Sequence, residues 1–155
     1  MISPELLRRY VFFRNLQEPQ LKAIAMLSDE VTVAQGETLF EIDQNANTLY
    51  LLLEGRIDLK YLVVDRDDPS NRQVYDVGEI NPGEAFGISA LIEPYRYTSS
   101  ASAGQESRVL KIDAKALRAY CTGQPEVGLL LLQHVAQTAM ARLHDTRIQL
   151  AARQN

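Results

Sequence analysis

Along the first thirty residues the apolar positions recur at helical spacing, and the chain then changes to a period of two. Ser3-Pro4-Glu5 is an N-terminal helix signal, with Ser as cap and Pro in the first turn. Leu6, Leu7, Tyr10 and Val11 form an apolar face, and Phe12, Phe13 and Leu16 read as an anchor into the core. A second helix is expected from Pro19 to Leu27, with Leu21, Ile24, Ala25 and Leu27 inward. Val31 and Val33 then alternate with polar residues, and Gln35-Gly36-Glu37 turns the chain into a strand over Thr38 to Ile42. After the polar loop Asp43 to Asn47, Leu49-Tyr50-Leu51-Leu52-Leu53 is a buried strand closed by Glu54-Gly55. Its hairpin partner runs from Arg56 to Val64, with Ile57, Leu59, Tyr61 and Val63 on one face. Past the solvated loop Asp65 to Asn71, further strands are expected at Gln73 to Ile80, Ser99 to Ala103 and Arg108 to Ile112. Short strands with regular turn signals mark a small β-barrel or jelly roll.

The last third is helical again. Asp113 caps a helix to about Tyr120, and Gln124-Pro125-Glu126 opens a long one reaching about Ala152. Along it Leu129, Leu132, Ala136, Ala139, Leu143, Thr146 and Leu150 alternate at three- and four-residue spacing, which is a heptad seam. Arg142, Asp145 and Arg147 stand beside it. Val127, Leu130, Leu131, Val135 and Met140 supply a second apolar face for packing on the barrel. A helix apolar on two sides needs two partners, so a homodimer through this helix is expected.

Composition narrows the function classes. The 155 residues fit one domain, 1–155, divided into N-terminal helices over 1–28, a β-roll over 29–112 and C-terminal helices over 113–155. A formal charge of −4 argues against general affinity for nucleic acid or an anionic membrane. The single cysteine, Cys121, has no internal disulfide partner and reads as a small buried hydrophobe. With no signal-like or spanning apolar run, a cytoplasmic location is expected. A metal site on such a roll needs His and carboxylate ligands from its strands. The histidines, His134 and His144, instead lie on the long helix, as ordinary surface or interface residues. No metal and no catalytic residue is expected, and Gly87-Ile88-Ser89-Ala90-Leu91 lacks the second glycine of a nucleophile elbow.

The chemistry concentrates in residues 82–100. Pro82-Gly83-Glu84-Ala85-Phe86-Gly87 turns tightly, Ile88 to Ile92 forms one or two helical turns, and Arg96 follows Pro94 by two residues. A glycine ahead of a helix start leaves N–H groups aimed at an anion, and an arginine nearby adds a charge-assisted bond.

The order of these parts resembles the cyclic nucleotide-binding domain of the catabolite-activator type. Phe12-Phe13-Arg14-Asn15-Leu16 is similar to that family's entry segment, and Gln35-Gly36-Glu37-Thr38-Leu39-Phe40 and Leu49 to Gly55 are similar to its first barrel signatures. Pro82-Gly83-Glu84-Ala85-Phe86-Gly87 is similar to the opening of its phosphate-binding cassette. The resemblance covers about residues 5–150 and implies an eight-stranded double-stranded β-helix, or jelly-roll barrel. N-terminal helices and a long C-terminal helix flank it, and the fold is mainly β with flanking α. It implies a ligand site at Phe86, Gly87, Ile88, Ser89, Ala90, Arg96, Tyr97, Thr98 and Ser99, with Arg96 as the anion ligand.

Two positions depart from the pattern. Ile88 stands where the family places a Glu that accepts from the ribose 2′-hydroxyl, and losing that bond costs about 1–3 kcal/mol. Tyr97 stands where a small residue is usual. The resemblance thus implies a stand-alone regulatory sensor domain that takes a small anionic ligand, cAMP and cGMP among the candidates, and requires no cofactor. Only Gln149 to Asn155 could follow the long helix, so the chain is expected to read no DNA itself and to signal through a protein partner. The alternative is an interaction module without ligand that keeps the fold and the dimer helix.

Overall fold

In a computed structural model the chain is described from Ile2 to Gln154; Met1 and Asn155, the expected ends of the domain, lie outside the described residues. Helix α1 (Pro4–Arg8) starts where Ser3 accepts from the Glu5 amide, and a 3-10 turn (Val11–Phe13) follows. This turn buries Phe12 and Phe13 against the core, and α2 (Glu18–Met26) buries Leu21, Ile24 and Ala25.

Among the described residues eight strands make two antiparallel four-stranded sheets. They are β1 (Ser28–Val33), β2 (Thr38–Phe40), β3 (Thr48–Glu54), β4 (Ile57–Val64), β5 (Arg72–Ile80), β6 (Ala85–Phe86), β7 (Ser100–Ala103) and β8 (Ser107–Asp113). One sheet runs β1-β8-β3-β6 and the other β2-β7-β4-β5, the layout of a jelly roll. Leu49, Leu51 and Leu52 of β3, Ile57 of β4 and Val109, Leu110 and Ile112 of β8 are fully buried, so both faces of β3 and β8 are covered. The mainly β architecture with flanking helices is therefore the expected one.

Some local expectations are corrected. The strand from Thr38 ends at Phe40: its pairing with β7 slips by one residue at Leu39, and the Ile42 amide goes to the Ser100 hydroxyl at 2.9 Å instead of to a strand carbonyl. Strand β6 has only two residues, too short to show a period. Tyr61 and Val63 do not share the buried face of Ile57 and Leu59. Strand β4 pairs with β7 only from Ile57 to Lys60, and a bulge between Leu59 and Lys60 re-aims the rest of the hairpin into solvent.

Helix α3 (Ala114–Gly123) begins where the Asp113 carboxylate accepts from the Ala116 amide at 3.1 Å. The 29 residues of α4 (Pro125–Arg153) then run along the roll. Val127, Leu131, His134 and Val135 face it, while Met140, expected on this face, is exposed. His134 is likewise corrected from a surface position: it is buried, and its Nδ1 lies 2.6 Å from the Phe12 carbonyl. Among the described residues no helix is long and apolar enough to cross a membrane.

Candidate functional site

The cassette forms where β6 hands the chain to a sharp turn. Gly87 adopts φ 67° and ψ 33°, a left-handed conformation that suits glycine, and a 3-10 turn (Ile88–Leu91) starts directly after it. The returning segment is tied to the loop before β3. Ala46 N–H donates to the Tyr95 carbonyl at 2.7 Å, Tyr97 N–H to Gln44 at 3.0 Å and Asp43 N–H to Tyr97 at 2.9 Å.

Arg118 of α3 clamps the same segment from outside. Its Nη1 donates to the Ala90 carbonyl at 2.7 Å, and its guanidinium lies 4.0 Å from the centre of the Tyr95 ring. Sequence reading missed this residue, which helical spacing puts on the same face as the buried Ala114.

Beneath the turn lies an aromatic layer. Tyr97 stacks on Phe40 with ring centres 3.8 Å apart, and Tyr50 stacks on Phe86 at 4.9 Å. The Tyr97 hydroxyl donates to the Thr48 carbonyl at 2.6 Å. Burial, with a smaller contribution from nearby Tyr50, pushes this phenol up to about 12 against the opposing effect of its Thr48 bond. What is left open is a hollow of about 30 Å³ lined by Phe40, Leu59, Gly87, Ile88, Ser89, Tyr97, Thr98, Ser99 and Arg142. That volume is about the share of one water in the liquid.

The expected site residues are therefore divided. Gly87, Ile88, Ser89, Tyr97, Thr98 and Ser99 meet at the hollow, whereas Phe86 and Ala90 are buried in the core behind it. Arg96 does not join them. It is exposed, bridges to Asn45 and donates from Nη1 to the Asp43 carbonyl at 2.7 Å. Consecutive residues of an extended segment point to opposite sides, and here Tyr97 takes the inward one.

Arg142 of α4 is the cation that does reach the hollow. Its Nη2 donates to the Ala85 carbonyl, and its Nε is shielded from solvent without a hydrogen-bond partner. Desolvation holds this guanidinium below the usual arginine range, with the charge of Glu84 acting in the opposite direction. A signal existed in the sequence: Arg142 follows Val135 by two helical turns, on the side that packs against the roll.

The cassette geometry and the sheet order agree with sequence comparison. The family model described as "Cyclic nucleotide-binding domain" matches residues 30–124. The chain belongs to the cyclic nucleotide-binding domain family. A crystal structure from Geobacter metallireducens GS-15, described as a putative cyclic nucleotide-binding protein, is 41% identical. It has a TM-score of 0.81 and covers 93% of this chain and 100% of its own. The CRP-like cAMP-activated global transcriptional regulator of Mycobacterium tuberculosis is 26% identical over 147 residues, 95% of this chain. This cyclic nucleotide-binding domain spans 61% of that regulator's length. The catabolite activator protein of Thermus thermophilus shares the fold, with 20% identity and a TM-score of 0.65 over 98% of this chain and 63% of its own.

The remaining groups offer little chemistry. Among the described residues no group of three or more His, Cys, Asp or Glu side chains is placed to hold a metal ion. Burial pushes the half-buried Cys121 thiol up, which disfavours the reactive thiolate.

Proposed function

We propose that this domain is a regulatory sensor that binds a small phosphate-bearing ligand at the cassette and signals through α4. The observation that carries the reading is the hollow itself, where the Gly87–Ser89 turn, Thr98 and Ser99 converge directly under α4. Hydroxyl groups and a glycine turn there suit a phosphoryl group, and α4 forms one wall through Arg142. A ligand that binds better in one position of α4 than another shifts the helix by that difference in affinity. Ile88 supplies no acceptor for a ribose hydroxyl, so cAMP and cGMP are expected to bind weakly if at all in the manner that needs one. Calorimetry and thermal shift of the full chain with cAMP, cGMP and other nucleoside phosphates test this. Silence with every one of them at millimolar concentration removes the sensor reading.

The second face of α4 supports a homodimer. Leu129, Leu132, Leu143 and Leu150 are 62%, 44%, 49% and 57% exposed, and Ala136, Ala139 and Thr146 between them are exposed as well. An unpaired leucine heptad on a helix of this length is matched by a second copy of the same helix. A dimer in the cytoplasm, passing its state to a protein partner rather than to DNA or a membrane, completes the proposal.

One observation favours the other reading. The hollow holds about one water, because Phe40, Tyr50, Phe86 and Tyr97 fill the space beneath the turn. An interaction module without ligand would keep this aromatic filling permanently. It predicts a dimer whose stability no small phosphate alters.

A further inference from the structure

Arg142 is an expensive residue to keep where it is. Its guanidinium lies against the cassette with one carbonyl acceptor, Ala85, and an orphaned Nε. The ion pairs described for the other arginines involve Arg8, Arg56 and Arg108. At this half-buried guanidinium desolvation outweighs the charge of Glu84, and one neutral carbonyl returns less than leaving water costs. An apolar side chain at the same place would pack without that loss.

Position explains what the energetics do not. Arg142 and Leu59 line both the 30 Å³ hollow and a neighbouring cleft of about 560 Å³ between β5 and α4. These two side chains therefore separate the cassette turn from a space large enough for a small ligand. An anion seated between the Gly87–Ser89 turn and Arg142 would take up Nε and a terminal N–H together, in the forked geometry that guanidinium offers phosphate.

The cleft also selects by charge. Its walls carry Asp76, Glu79 and Asp145, and its other arginine, Arg56, is already tied to Asp58 at 3.0 Å. Several negative charges on one ligand would be repelled there. A single one, on a body rich in N–H donors, would find acceptors along the walls.

We propose that Arg142 receives the anionic group of a singly charged phosphodiester of mononucleotide size. It exchanges the Ala85 carbonyl for the phosphate and so couples the ligand to α4. This rests on the sensor reading above, which places the ligand at the cassette, and goes beyond it in naming the cation, the entry side and the charge of the ligand.

The test uses the full chain with cAMP and ATP as probes and the variants Arg142→Met, Arg142→Gln and Arg147→Ala. Wild type is expected to bind cAMP at least tenfold more tightly than ATP. Both Arg142 variants should lose about ten- to hundredfold in cAMP affinity, while Arg147→Ala stays within about twofold. Without ligand, Arg142→Met should melt at or above wild type, because the half-buried cation serves the ligand and not the fold. If Arg142→Met and Arg142→Gln bind cAMP as wild type does, or ATP binds as tightly as cAMP, the proposal is overturned and the sensor reading stands. A melting temperature for Arg142→Met several degrees below wild type makes Arg142 a structural strut and overturns it as well. Failure of wild type to respond to either probe overturns this proposal. The sensor reading falls with it only if the other nucleoside phosphates also fail.

Discussion

Gly87→Ala probes how firmly the cassette turn is held over its aromatic layer. Two costs can be separated. Gly87 sits at φ 67°, where an L side chain meets its own backbone at about 1–2 kcal/mol. An added Cβ would also stand 3.1 Å from Tyr50 Cδ2, 3.2 Å from Tyr97 Cε1 and 3.4 Å from Phe40 Cε2. Phe40 is stacked on Tyr97 and tilted against Tyr50, so the three rings cannot all retreat and overpacking adds roughly 1–2 kcal/mol. Gly36 is the control: its φ is +86°, yet an added Cβ there meets nothing within 4 Å. Gly36→Ala therefore bears the backbone cost alone. The gain from stiffening the unfolded chain is common to both variants and cancels in the comparison. Thermal unfolding by circular dichroism at one protein concentration should place Gly36→Ala about 2–8 °C below wild type. Gly87→Ala should lie about 2–8 °C lower still. Equal melting temperatures for the two variants would refute the reasoning, because the layer would then be yielding and the small hollow no barrier to a ligand.

Three further outcomes follow from named contacts. Leu143→Asp places a charge in the α4 seam and is expected to run as a monomer in light scattering; a variant that stays dimeric rules out this seam. Tyr97→Phe should change the alkaline limb of stability. The native phenol ionises near 12 and the unfolded one near 10, so the native state holds its proton where the unfolded state has lost it. Stability from this group is full below about pH 10 and falls as pH rises toward 12, by on the order of 2 kcal/mol. Urea midpoints between pH 9 and 11.5 should decline less steeply for Tyr97→Phe than for wild type, and parallel curves count against the burial of this hydroxyl. Arg118→Gln removes the clamp on Ala90 and Tyr95, a local loss of about 2 kcal/mol. Exchange of the Ile92 and Tyr95 amides, which donate to Ser89 and Ile92, should quicken about thirtyfold, and unchanged exchange would show that the clamp is slack.

Much of the roll was legible because its signals are local and repetitive. Alternation of Val31 and Val33 marked β1, a continuous apolar run marked β3, Asp113 and Ser3 acted as the caps their chemistry suggests, and Pro19 stands in the first turn of α2. What escaped depends on contacts far apart in sequence. A two-residue strand such as β6 has no period, and only pairing with Tyr50 and Leu51 makes it one. The outward turn of Tyr61 and Val63 comes from where β7 ends, which no pattern in β4 encodes. His134 looked like a surface residue until the carbonyl of Phe12, 122 positions away, satisfied it. At the cassette a one-residue question decided the chemistry: Arg96 and Tyr97 are neighbours on an extended segment, and only one can face inward. The backbone ties to Asp43, Gln44 and Ala46 settle it for Tyr97. The cation that does reach the hollow, Arg142, comes from a helix 55 residues beyond Gly87, whose seam drew attention to its other face.

The most direct test of a ligand sensor coupled to its helix is an amide NMR titration of the full chain with cAMP, cGMP and other nucleoside phosphates in turn. Shifts are expected at Gly87 to Ser89 and Thr98 to Ser99, with a second group on α4 from Thr138 to Thr146 that saturates at the same concentration. An unchanged spectrum with every one of them at millimolar concentration, or shifts at the cassette with none on α4, would contradict the account.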